Sequence, residues 1–173
     1  MALSVLVVRR LSCKATQGVL EAGGWTFPCA LGRSGSNARK REGDGATPRG
    51  TFRMLRVLYR ADRRRRPRCG LPVTPIRPFD GWCDAVFDRN YNRQVRLPSP
   101  CSHETLTRAD DVYDLIVVLD HNSRPRVHGH GSAVFMHIAR ANFEPTAGCI
   151  ALAVGDLERV LAEVGPGTRI TIP

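Results

Sequence analysis

A mainly β (α+β) domain with one C-terminal helix and a long loop-rich insertion is what this 173-residue sequence predicts. Short β-branched runs alternate with turn residues at close intervals. A single late stretch carries helical spacing, and the middle of the chain carries neither pattern. In chain order, Ser4–Arg9 reads as the first strand. Gly18–Leu20 and Thr26–Cys29 follow, with Gly23-Gly24 as the turn between them. Gly32–Gly35 and Gly43–Gly50 then separate these from a longer strand, Thr51–Tyr59. Asp114–Leu119 and Ala133–Ile138 flank a turn at His121–Pro125, and Arg169–Ile172 closes the chain. The helix spans Gly155–Val164: Leu157, Val160, Leu161 and Val164 form one apolar face, Asp156 suits the first turn, and Gly165-Pro166 stops it. Residues 60–110 read as an insertion in one domain, 1–173. Pro75, Pro78, Pro98 and Pro100 argue against strands at Pro72–Pro78 and Leu97–Pro100.

Composition narrows the class. Hydrophobic residues at 42% and charged residues at 24% are ordinary globular usage. No apolar run reaches the ~18 residues of a membrane-spanning helix, so no transmembrane segment is expected. The first ten residues place positive charge after a short apolar run, the reverse of a signal peptide, so no export signal is expected there. The formal charge of +10 comes from a chain with 24 arginines, Lys14 and Lys40 being its only lysines. Such a surplus suits nucleic acid, an anionic membrane surface or an acidic wall polymer, without choosing among them. Arg60–Arg68 holds six arginines in nine positions and reads either as an anion grip or as a solvated loop. No aromatic residue interleaves with them, so no nucleic-acid partner is expected. Cysteines at 13, 29, 69, 83, 101 and 149 form no C-x-x-C pair; their even number permits disulfides that a chain of this size does not need.

The chemistry-bearing residues concentrate late. Cys149 follows Gly148, and His137 ends the apolar run Ala133–Met136, twelve residues earlier. A thiol becomes a nucleophile when a base or a positive field reaches it. Gly148 lets the chain turn sharply and brings backbone N–H groups toward an oxyanion. The alternative is a structural thiol beside a core imidazole. His128 and His130, two apart, could instead join His137 or Cys149 in a zinc site. Flanking Gly129 and Gly131 and the lack of a suitable carboxylate weigh against it, so no metal and no cofactor are expected.

The segment His137…Thr146-Ala-Gly-Cys149-Ile resembles the active-site signature of the L,D-transpeptidase family. Gly45-Ala-Thr-Pro-Arg-Gly-Thr-Phe52 resembles the family's Thr-Pro-x-Gly-x-Phe element, and the helix and strand of 156–172 resemble its closing segment. The resemblance implies an L,D-transpeptidase-like β-sandwich in a small single-domain subgroup. It implies Cys149 as nucleophile, His137 as base, and Gly148 with Cys149 as oxyanion donors. Thr146 and Arg140 would contact substrate; the segment 81–95 would either form a lid with Trp82 and Tyr91 as walls or pack in the ordinary way under a long loop. The partners implied are peptidoglycan stem peptides. The thiolate would attack the amide between the L-centre of the diamino acid and D-alanine, and an amine would resolve the acyl-enzyme. Hydrolysis of the same stems is the alternative, and an Arg-rich polyanion-binding module is the alternative from another class. The family implies action in the cell envelope; the sequence sets no oligomeric state. Ala147 and Ala151 stand where the family commonly has His and Arg, and Arg140, Arg93 or the 60–68 run could supply the missing cation.

Overall fold

A computed structural model describes residues 2–173. Its strands are β1 (Val5–Arg9), β2 (Gln17–Ala22), β3 (Trp25–Ala30), β4 (Ser36–Asn37), β5 (Thr47–Pro48), β6 (Gly50–Tyr59) and β7 (Val73–Pro75). Then come β8 (Asp80–Cys83), β9 (Gln94–Arg96), β10 (His103–Thr105), β11 (Leu115–Leu119), β12 (Phe135–Ile138), β13 (Ile150–Leu152) and β14 (Arg169–Ile172). The helix α1 (Val154–Glu163) is the single α-helix among the described residues. It is too short to cross a membrane, as is every described helix.

The nine-stranded sheet runs β11-β12-β13-β3-β2-β1-β14-β6-β7, and β11 also pairs with β6. The two layers of the expected sandwich therefore belong to one sheet that closes on itself. Alternation along β11 and β12 explains their nearly unbroken apolar sequences. Leu115, Val117, Leu119, Val134, Met136 and Ile138 face the interior with Leu157, Val160 and Leu161 of α1. Ile116, Val118, Ala133 and Phe135 point the other way, into a second core with Trp82, Ile76, Leu106 and Cys149. Two buried faces require apolar residues at both parities, so the two-residue period disappears.

The 60–110 stretch supplies the cover for that outer face. It contains a three-stranded sheet, β10-β8-β9, and the edge strand β7. Val73–Pro75 corrects the expectation of irregular chain there: it pairs parallel with Val57–Tyr59 at the sheet's margin, where proline is tolerated. The arginine run is tied to the body. Arg60 pairs with Asp62, Arg63 with Asp114 and Arg64 with Glu158, and Arg66 donates to the Val73 carbonyl. That engagement removes much of the free charge an anion grip would need.

Candidate active site

His137 and Cys149 reach one cavity from neighbouring parallel strands. In the β12–β13 register, His137 stands opposite Ala151. Met136 and Ile138 take the interior positions, so His137 between them faces outward. Cys149 immediately precedes β13 and lies at the edge of the second core. The two side chains line the same cavity, of about 120 Å³.

The imidazole is fixed by a carbonyl. His137 Nδ1 lies 2.8 Å from the Ile138 carbonyl oxygen. That oxygen can only accept, so Nδ1 carries the proton and Nε2 keeps its lone pair. Tyr113 meets the ring edge-on at 5.5 Å. Burial depresses the His137 pKa to about 4, so the ring is neutral at pH 7. The thiol is also neutral: burial pushes Cys149 up to about 12, and the charge of Glu104 adds to the rise. It donates to the Ala133 carbonyl at 3.2 Å, while the Phe135 N–H donates to its sulfur at 3.4 Å. The sulfur's hydrogen bond thus goes to backbone rather than to the imidazole, and the resting pair is uncharged.

A short ladder of contacts places the Cys149 turn. Thr47, fully buried, accepts from the Gly32 N–H at 2.8 Å. Gly32 bridges to Thr146, whose carbonyl accepts from the Arg33 N–H at 2.8 Å. The Thr146 hydroxyl then donates to the Cys149 carbonyl at 2.7 Å and accepts from the Gly148 N–H at 3.0 Å. The Thr-Pro element singled out in the sequence therefore reaches the Cys149 turn through three residues. Gly148 has φ +139°, and any Cβ there would sit 2.8 Å from the Ala46 carbonyl oxygen. Only glycine fits.

These contacts alter two expectations. Thr146, expected at substrate, lines a second, wider cavity, but its hydroxyl is engaged within its own turn. The Gly148 N–H, expected at an oxyanion, is engaged with Thr146. Thr146→Val should leave the Gly148 N–H and the Cys149 carbonyl without these partners. A stability loss of about 1–2 kcal/mol in urea unfolding is expected. Thiol acylation should slow by roughly tenfold through displacement of the turn, whereas Thr146→Ser should recover most of both.

Arg140 does line this wider cavity of about 450 Å³, which shares His137, Arg33, Glu104, Tyr113 and Ala147 with the first. Arg33 and Arg108 line it too, as does Ala151, where the family's arginine is missing. Arg108 and Arg140 both pair with Asp110. Arg93 and the 60–68 run line neither cavity. Trp82 and Tyr91 are also placed elsewhere, which corrects their assignment as cleft walls. Trp82 is buried edge-on against Phe135 at 5.0 Å and donates from Nε1 to Asn92 at 3.0 Å. Tyr91 is fully buried, its hydroxyl held by Glu42 and by the Gly131 N–H. A large ring with a polar tip satisfies a core as readily as a cleft.

His128 stacks on Tyr91 at 5.6 Å and His130 meets Arg41 at 3.0 Å. Neither lines the His137–Cys149 cavity, so the alternative zinc ligands are not brought together. Among the described residues no three His, Cys, Asp or Glu side chains cluster as metal ligands. All six cysteines are free thiols.

Three residues at the site carried no sequence signal. Lys40 is buried beside Gly148, is held by Asp44 and the Arg41 carbonyl, and puts a cation near the thiol. Glu104 and Tyr113 line both cavities. They come from strand β10 and a turn, where neither spacing nor composition marks them.

Comparison with known proteins completes the description. The family model described as YkuD, L,D-transpeptidase catalytic domain, matches residues 7–172. No curated protein matches the chain. Among solved structures it is similar to Mycobacterium tuberculosis L,D-transpeptidase 1, at 17% identity and a TM-score of 0.40, over 99% of this chain. The match spans 61% of that solved chain.

Proposed function

Because the chain belongs to the L,D-transpeptidase catalytic-domain family, we propose that it performs cysteine-dependent acyl transfer on peptidoglycan stem peptides in the cell envelope. One observation carries the reading: Cys149 and a carbonyl-anchored His137, its Nε2 lone pair available, line one cavity.

The chemistry starts from a neutral pair. With the thiol pushed up to about 12 and the imidazole down to about 4, a thiolate–imidazolium pair is disfavoured at rest. Proton transfer from sulfur to Nε2 therefore accompanies attack on the stem amide rather than preceding it. The C–S bond forms at the carbonyl of the L-centre, the C–N bond breaks, and His137 returns the proton to the departing D-alanine nitrogen. An amine then attacks the thioester. His137 serves as base in one direction and acid in the other, which a single neutral imidazole accomplishes. The Cys149 N–H and the nearby Lys40 ammonium face the developing oxyanion. Arg33 and Arg140 offer guanidinium groups to a stem carboxylate, in place of the arginine absent at Ala151.

The test is mass spectrometry after incubation with a carbapenem-type β-lactam and, separately, with purified stem tetrapeptides. A single acyl adduct on Cys149 and loss of D-alanine are expected. Folded protein that forms neither overturns the reading.

A further inference from the structure

Glu104 is a partly buried carboxylate that lines both the thiol cavity and the wider groove. Among the described residues it has no cation within 4.0 Å, although the chain carries 26 Lys and Arg. Its described partner is the Tyr113 hydroxyl, which orients it. The nearby cations are committed: Arg108 is bidentate to Asp110 at 2.7 Å and lies over the Tyr113 ring, and Lys40 pairs with Asp44. Its position also carries a cost for the nucleophile. A negative charge there opposes formation of the thiolate, and it raises the thiol's pKa. A sequestered carboxylate without a cation, placed where it hinders the first half-reaction, fits a ligand that brings its own positive charge in the second.

We propose that Glu104 selects an ammonium-bearing acceptor over water when the acyl-enzyme is resolved. The inference rests on the acyl-transfer reading above and specifies its acceptor side. The incoming nitrogen arrives as R–NH₃⁺, whose charge is held at Glu104 beside the thioester. Two protons leave it: one passes to Glu104 and on to solvent, the other goes through His137 Nε2 to the departing sulfur. The C–N bond forms as the C–S bond breaks, giving the amide and the free Cys149 thiol. Water brings no positive charge for the carboxylate to hold.

The experiment begins with wild type. Acyl-enzyme made from a stem tetrapeptide is offered the stem amine, hydroxylamine as an uncharged nucleophile, or buffer alone, and products are counted by mass. The preference for the stem amine over hydroxylamine should exceed that of a free thioester at least tenfold; an equal preference overturns the proposal. Glu104→Gln should acylate at least as fast as wild type, since the opposing charge is gone, while its ratio of cross-linked to hydrolysed product falls at least tenfold. Its hydroxamate yield should not change. The same variant should alkylate faster with iodoacetamide at Cys149, which mere structural support from Glu104 would not produce. Tyr113→Phe keeps the ring against His137 but releases the carboxylate, and should lower the ratio by a smaller factor. An unchanged ratio in a normally acylating Glu104→Gln protein refutes the assignment. Failure of wild type to acylate would instead refute the underlying reaction.

Discussion

Cys149→Ala is expected to abolish acyl-adduct formation and stem cross-linking, by at least a thousandfold, with the fold retained. The sulfur is the only atom removed, and no other side chain at the cavity can form the thioester. Five other free cysteines provide an internal control, since Cys13 is exposed and yet lines neither cavity. Iodoacetamide should still modify Cys13 in the variant, while the β-lactam should modify nothing. The structural cost is confined to a small void and to the loss of partners for the Ala133 carbonyl and the Phe135 N–H. It should stay within about 1–2 kcal/mol, or a fall in Tm of up to about 8 °C. An adduct on the variant, or collapse of its fold, would remove Cys149 from the nucleophile's role.

His137→Gln should produce the second large effect, and in two observables at once. Loss of the base should slow acylation by about a hundredfold or more. The same change should remove an acid sensitivity. In the folded protein His137 titrates near 4, against 6.5 for the ordinary imidazole, because burial disfavours its charge. Above pH 6.5 neither state is protonated there, and stability is unaffected. As pH falls from 6.5 toward 4 the unfolded chain takes up a proton that the folded chain refuses, so wild type loses stability. The loss amounts to roughly 3 kcal/mol and is complete below pH 4. Urea unfolding at pH 7 and pH 4 should show this difference shrinking by that amount in His137→Gln. A glutamine that leaves the pH dependence intact would mean that the ring is solvated or charged in the native protein.

What could be read from the sequence follows from the range of the interactions involved. β1, β6, β11, β14 and α1 announce themselves by local pattern, and their bounds in the structure lie within a residue or so of those expected. β13 was missed because three apolar residues after a glycine and a cysteine carry no period. β7 to β10 were missed for a related reason: they are three or four residues long, and they depend on partners distant in sequence, β7 pairing with β6 and β8 placing Trp82 in the second core. At the site, Cys149, Gly148 and His137 stand in a compact motif and were legible. Glu104, Tyr113 and Lys40 arrive from distant, unpatterned chain and become site residues only once the sheet has folded. Trp82 and Tyr91 illustrate the converse: the resemblance suggested a cleft, whereas Asn92 and Glu42 satisfy their polar tips inside the protein.

The meeting of β11 with β6 bears on how the molecule coexists with copies of itself. An open sheet ends in rows of unpaired amides and carbonyls that invite strands from other chains and seed aggregates. Here the ring uses up those rows. The strand hung outside it, β7, has three residues, with Pro72 before it and Pro75 as its last. Proline offers no donor to a newcomer, so the large sheet presents a blunted margin to its neighbours in a crowded compartment.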